Sequence, residues 1–229
     1  QTTTDTLDDD PIDVTIGSNA AVTLKWVFPF TNSLELIGTS QQFSLHSGTS
    51  SPALTPSNTV VDPTTTLDIV EQIQPAKVNS TLFLAVEGET HKAIYRYDVD
   101  PEGVNTKAFN ITRHVPRYLR HDLNDPAYNR VTGMYACPDT QMLFVITNNS
   151  NPSEVQSSTS INGVSTQYNI ETDSKVYVYS FFEQGGELVQ SAWHTWTIPA
   201  VAMAIIGSEA FFITSGREIQ SAPPLVSDT

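Results

Sequence analysis

Apolar and β-branched residues gather along this chain in short runs, with Gly, Pro, Asn and Ser between them. Residues 21–28, 33–38 and 42–46 predict three strands joined by turns at Asn32-Ser33 and Gly38-Thr39. A polar, proline-rich stretch (50–63) follows. Runs 81–86 and 93–99 then flank a turn at Gly88, a simple hairpin signal. The second of these runs alternates as a half-buried strand should. Runs 141–147 and 175–182 repeat that pair across a Ser/Asn-rich insert (148–174), which is expected to be an exposed, mobile loop. Residues 187–198 predict a further strand beyond a Gln184-Gly-Gly turn. Runs 200–206 and 209–214 form a last pair around Gly207-Ser208. The single helical candidate is short, residues 116–120, with proline in its first turn.

The pattern is one unit repeated about four times: an apolar leading strand, a Leu-Phe-Val-Ile type of strand and an aromatic strand. Leu82, Leu143 and Phe211 mark equivalent places at spacings of 61 and 68 residues, and Tyr95 matches Tyr177. Repeated small antiparallel sheets at such intervals predict an all-β, β-propeller-like fold, here a partial one of about four blade-like units. A β-sandwich accommodates the strand count but not the internal similarity. The expected organisation is an acidic lead-in (1–20), a propeller-like region (21–215) and an exit segment (216–229).

Composition narrows the function classes. The 229 residues include 25 Asp+Glu against 11 Lys+Arg, a formal charge of −14. Ser and Thr (22 and 28) exceed a fifth of the chain while charged residues make up 16%, as in a turn-rich β protein. Such a body repels nucleic-acid phosphates over most of its surface. The one cysteine, Cys137, forms no intrachain disulfide and reads as a small buried residue. No apolar stretch approaches the roughly 20 residues that span a bilayer. The first residues lack the basic and apolar regions of a signal peptide, and there is no initiator Met, so a processed chain or a segment of a longer one is expected.

Candidate chemistry is sparse. Asp8, Asp9 and Asp10 are consecutive and followed by Pro11, without the alternating ligands and turn glycine of a calcium loop, so they read as a solvated acidic loop. No metal site or cofactor is expected. Five histidines (46, 91, 114, 121, 194) accompany neither a Gly-x-Ser-x-Gly elbow nor a His-Glu-x-x-His helix. His194 reads as a packing residue. The paired carboxylates of a glycosidase need not be close in sequence, and no spacing singles out a pair. Trp193 and Trp196 lie three apart on a strand and point to opposite faces, which favours packing over a sugar platform. Three glycosylation sequons (Asn79, Asn110, Asn148) are expected by chance in so Ser/Thr-rich a chain. One segment breaks from its surroundings. Arg113, Arg117, Arg120 and Arg130 cluster with His114 and His121 on an otherwise acidic body. Such a loop suits the acidic loops of a neighbouring subunit, or it is a local salt-bridge patch.

Several stretches together carry a family resemblance. They are Leu7-Asp-Asp-Asp-Pro-Ile-Asp-Val14, Leu24-Lys-Trp-Val-Phe-Pro-Phe30, Leu34-Glu-Leu-Ile37 with Gln42-Phe43, Ile94-Tyr-Arg-Tyr97, Ile111-Thr-Arg-His-Val-Pro-Arg-Tyr118, Val176-Tyr-Val-Tyr179 and Gln190-Ser-Ala-Trp-His-Thr-Trp196. In this order, over residues 7–198, they resemble the central part of the tail nozzle (tail tubular protein B) family of short-tailed phages, the podophages. The 148–174 loop is longer than the family's connection, and the match loosens from Ile198 onward.

The resemblance implies a structural virion protein of the tail, not an enzyme, with this chain an internal fragment. It implies a homo-hexamer around the tail axis, below a tail adaptor protein, near tail fibre protein, bounding the channel through which genomic DNA passes without specific binding. On that view Asp8, Asp9 and Asp10 face the lumen or a neighbour, and Arg113, His114, Arg117 and Arg120 make a subunit or tail-fibre contact. The competing expectation is a propeller-fold glycoside hydrolase acting on host envelope polysaccharide. A secreted binding propeller is a third, and the lack of a signal sequence counts against it.

Overall fold

A computed structural model describes residues 10–18, 21–48, 54–88, 91–99, 106–119, 130–148, 175–184, 187–207, 209–214 and 219–221. Its fifteen strands form four small antiparallel sheets, each built from consecutive strands. The first holds β1 (Leu24–Pro29), β2 (Ser33–Gly38), β3 (Gln42–Ser47) and β4 (Thr59–Thr65). The second holds β5 (Ala76–Val78), β6 (Thr81–Val86), β7 (Ala93–Val99) and β8 (Thr106–Asn110). In the third are β9 (Arg130–Cys137), β10 (Met142–Asn148), β11 (Lys175–Gln184) and β12 (Glu187–Trp196). The fourth has three strands: β13 (Ala200–Ile206), β14 (Glu209–Thr214) and β15 (Ile219–Ser221). The helical candidate is a 3₁₀ turn, Pro116–Leu119. The insert expected to be a mobile loop lies, from residue 149 to 174, outside the described residues.

The sheets stack face to face through three apolar clusters. Leu82, Leu84, Val86 and Tyr97 of the second sheet meet Ile37, Trp26 and Phe28 of the first. Phe83, Ala85 and Ile94, on the opposite face, meet Leu143, Val145, Tyr177 and Tyr179 of the third. Phe144, Ile146, Val176 and Val178 then meet Met203, Ala210 and Phe212 of the fourth. The middle sheets are thus covered on both faces, so β6 is buried at every position. This explains its unbroken apolar run, since a strand with no solvent face has no reason to alternate. The alternation expected of β7 as a half-buried strand is corrected for the same reason: Ile94, Arg96, Tyr97 and Val99 are all buried.

The register tests the repeat. Leu82 pairs with Tyr97 and Leu143 with Tyr179, while Tyr95 and Tyr177 each sit opposite the residue two further along, Leu84 and Val145. Both leucines face the preceding sheet. In the fourth sheet the residue facing back is Phe212, not Phe211. The expected equivalence of Phe211 with Leu82 and Leu143 is corrected by one residue, and one residue turns a strand side chain to the other face. The strand expected over 187–198 is β12, the outer strand of the third sheet, whereas β4, β8 and β15, the outer strands of the others, are polar or short and carry no such pattern. β15 lies within the stretch read as an exit segment.

Turn chemistry is shared as well. The first hairpins of the second, third and fourth sheets carry a left-handed residue, Asn79 (φ 50°), Gln141 (φ 51°) and Gly207 (φ 61°). Gln141 is the costly one, lacking the tolerance of Gly or Asn for this region. It is pinned there: its carbonyl accepts from Phe181 N at 3.0 Å and its Oε1 from Glu183 N at 3.1 Å.

Candidate functional site

The segment after β8 is held by its own backbone and by the third sheet. Asn110 Oδ1 accepts from both Thr112 N and Thr112 Oγ1 at 2.9 Å, an Asx turn. Thr112 Oγ1 in turn accepts from Ile94 N at 3.1 Å. Ile111 N donates to Ile94 O, Val115 N to Thr112 O, Tyr118 N to Val115 O, and Lys92 N to Leu119 O. Ile111, Thr112 and Leu119 are buried. Tyr118 stacks on Tyr177 with centroids 4.5 Å apart, and Trp193 Nε1 donates to Ile111 O at 3.0 Å. The turn between these anchors presents Arg113 and His114 to solvent.

Of the other expected site residues, Arg117 lies in the 3₁₀ turn, though its side chain is outside the described residues, as is the whole of Arg120. Asp10 is exposed at the start of the described chain; Asp8 and Asp9 lie outside it. The structure therefore brings Arg113 and His114 together on one fixed turn. Cys137 is fully buried. Trp193 packs on Tyr179 and Tyr118 toward the second sheet, while Trp196 packs on Phe144 and Phe212 toward the fourth. His194, expected to pack, is exposed. It points with Trp196 away from Trp193, yet β12 is an edge strand and nothing among the described residues covers it there.

Two buried polar clusters were not legible in the sequence. Glu35 of β2 is 0% exposed. Its Oε1 accepts from Ser33 Oγ at 2.9 Å and Ser44 Oγ at 2.7 Å, and its Oε2 from Tyr97 Oη of the next sheet at 2.7 Å. Burial, and then the Glu35 charge, drive the Tyr97 phenol far above its ordinary pKa, so it remains a donor. The second cluster joins the second and third sheets. Arg96 Nε bonds both Asp98 oxygens at 2.8 Å, and its Nη2 is paired with the Glu183 carboxylate. A charged residue in an alternating strand reads as solvent-facing, and only the stacking on both faces buries it. Elsewhere, His46 Nε2 lies 3.0 Å from Asp62. Burial lowers the pKa of this ring, but the Ser47 carbonyl, Asp62 and Glu35 outweigh it and the net shift is upward.

Among the described residues no group of three or more His, Cys, Asp or Glu is placed to hold a metal ion. No helix among them is long and apolar enough to cross a membrane. The polar clusters cross-link sheets, and the turn fixed after β8 displays Arg113 with His114.

The family described as bacteriophage nozzle protein matches residues 1–221. The chain belongs to that family. It is also 24% identical over 213 residues to tail tubular protein gp12 of Escherichia phage T7. That alignment covers 90% of this chain and 22% of the T7 protein, so the nozzle chain spans about a fifth of that relative's length. Membership makes the nozzle chain a structural protein of the phage virion tail. Neither description is that of a glycoside hydrolase.

Proposed function

We propose that the nozzle chain is part of the wall of the channel through which the phage genome leaves the tail. In this reading residues 21–215 are a β-propeller-like body in a ring of six copies, below an adaptor ring and in reach of tail fibre protein. The observation that carries it is the family match across residues 1–221. Three structural features support it. Each sheet is a run of consecutive antiparallel strands, as a propeller blade is. Successive sheets stack through apolar faces. The first strands β5, β9 and β13 lie side by side, as strands around a common axis do.

The charge of −14 suits a channel wall. Basic walls would bind phosphates by releasing counterions and would stall transit, whereas an acidic wall lets DNA slide past. The acidic residues Asp8, Asp9 and Asp10 then face the lumen or a neighbour, and the turn of Arg113 and His114, with Arg117 and Arg120 beside it in sequence, faces another subunit. Imaging the assembled nozzle tests this. A sixfold ring with an axial channel, its arginine turn against a neighbouring subunit, is the expected result. A monomer whose sheets close on themselves would overturn it, and an arginine turn touching nothing would overturn the contact.

A further inference from the structure

In residues 12–16, Ile-Asp-Val-Thr-Ile, apolar and polar residues alternate with the period of a half-buried strand. Yet these residues join no sheet, and Ile12 is 45% exposed. They form a strand pattern without a sheet.

Strand β12 is the reverse, a sheet edge without a neighbour. It is ten residues long and pairs only with β11 among the described residues. Residues 188–192, 194 and 195 are exposed, with Leu188 at 42% and Val189 at 59%. Past Glu187 it has no Asp, Glu, Lys, Arg or Pro. The last strands of the other three sheets are blunted: β4 carries Asp62 and Pro63, β8 has five residues with Lys107, and β15 has three. Folded proteins avoid leaving a long uncharged edge open, and an extended segment adds to such an edge through main-chain hydrogen bonds.

Charge and reach select the occupant. The turn of Arg113 and His114 is tied to β12 by the bond from Trp193 Nε1 to Ile111 O, so a cationic group stands beside the uncharged edge. Residues 12–16 carry Asp13 and directly follow Asp10 and Pro11. Their own β12 is out of reach. Ser18 Oγ donates to Gln41 Oε1, which ties the segment to the first sheet. Ile16 lies within about 7 Å of Ser18 in any conformation. The third sheet is two sheet spacings of about 10 Å away.

We infer that residues 12–16 of one copy add as a strand to β12 of a neighbouring copy. Ile12, Val14 and Ile16 then continue the face that carries Trp196, and Asp13 faces the side of Trp193, where the turn of Arg113 and His114 sits. The inference rests on the reading of the nozzle chain as one subunit among several copies, and it names the segments that join them.

The test uses the full 229-residue chain. Hydrogen exchange at β12 amides 188–195 should slow as chain concentration rises. Val14→Pro, which removes a donor in the middle of the added strand, and Arg113→Glu should each weaken self-association at least about tenfold, as read by sedimentation. Oxidising a mixture of Thr15→Cys chains and Ser191→Cys chains should give the mixed dimer, since both positions lie on the Trp193 side, whereas Thr15→Cys with Val27→Cys should not. Self-association that persists in both variants while β12 amides exchange freely would overturn the strand addition and leave the multi-copy reading standing. A chain that stays monomeric at every concentration would overturn both. An intrachain bridge in a Thr15→Cys/Ser191→Cys chain at high dilution would overturn the choice of a second copy.

Discussion

At Glu35 each hydroxyl donor stands in for solvent, because the carboxylate is fully buried between two sheets. Replacing Tyr97 by Phe keeps the ring and removes the donor, leaving Oε2 unpaired. The expected cost is about 1–3 kcal/mol. Thermal unfolding reads this as a fall of about 2–4 °C in Tm per kcal/mol for a chain of this size. His46 gives a pH-dependent counterpart. Its folded pKa lies above the ordinary 6.5, so its stabilising contribution is complete below that value and is lost as pH rises through the folded one. The native chain should therefore lose stability relative to His46→Gln between pH 6 and pH 8. The difference should stay below about 1 kcal/mol, since Asp62 is well exposed. Denaturant titrations at the two pH values measure it. The His46 pairing was not legible in the sequence, because it depends on which residue of β4 lies near it on β3.

β6 and β10 differ from the outer strands in having no solvent face. Leu84 packs toward the first sheet and its neighbour Ala85 toward the third. Lysine at either position buries an unpaired ammonium, so both variants should lose more than about 4 kcal/mol or fail to fold. Val27→Lys on β1, at a position 55% exposed, should stay within about 0.5 kcal/mol of the parent in urea unfolding. This contrast separates two-sided burial from a sandwich sheet with one wet face, where only one of two neighbouring residues would be sensitive. The apolar runs made β6 and β10 readable. Edge strands β4 and β8 were not, because an edge that must not pair is built from the residues that sequence reading takes for loops.

Over the whole molecule, charge governs the encounter with DNA. Only 11 basic residues face 25 acidic ones, and Arg96 among the basic ones is buried in ion pairs. Fluorescence anisotropy with duplex DNA should show binding weaker than about 10⁻⁴ M at physiological salt, the weak limit of non-specific association. Tight, salt-sensitive binding would contradict a wall that lets the genome pass. The same charge disfavours indiscriminate self-association, so contacts between copies need local complements of the kind that the turn of Arg113 and His114 offers.

The sequence by itself determined the all-β class, the repeat, the acidic surface and the family, because period-two patterning, turn residues and collinear motifs are local properties of the chain. The anchored turn was partly legible as well: the basic cluster stood out, while the bonds from Asn110, Ile94 and Trp193 that fix Arg113 and His114 did not. Only the tertiary structure decided which face each residue of a strand presents and which charges are buried. A one-residue offset separates Phe211 from Phe212, and no local pattern distinguishes Glu35 or Arg96 from a solvent-facing charge. Burial on both faces of a sheet is set by the neighbouring sheets, and their packing is fixed by residues far away in the chain.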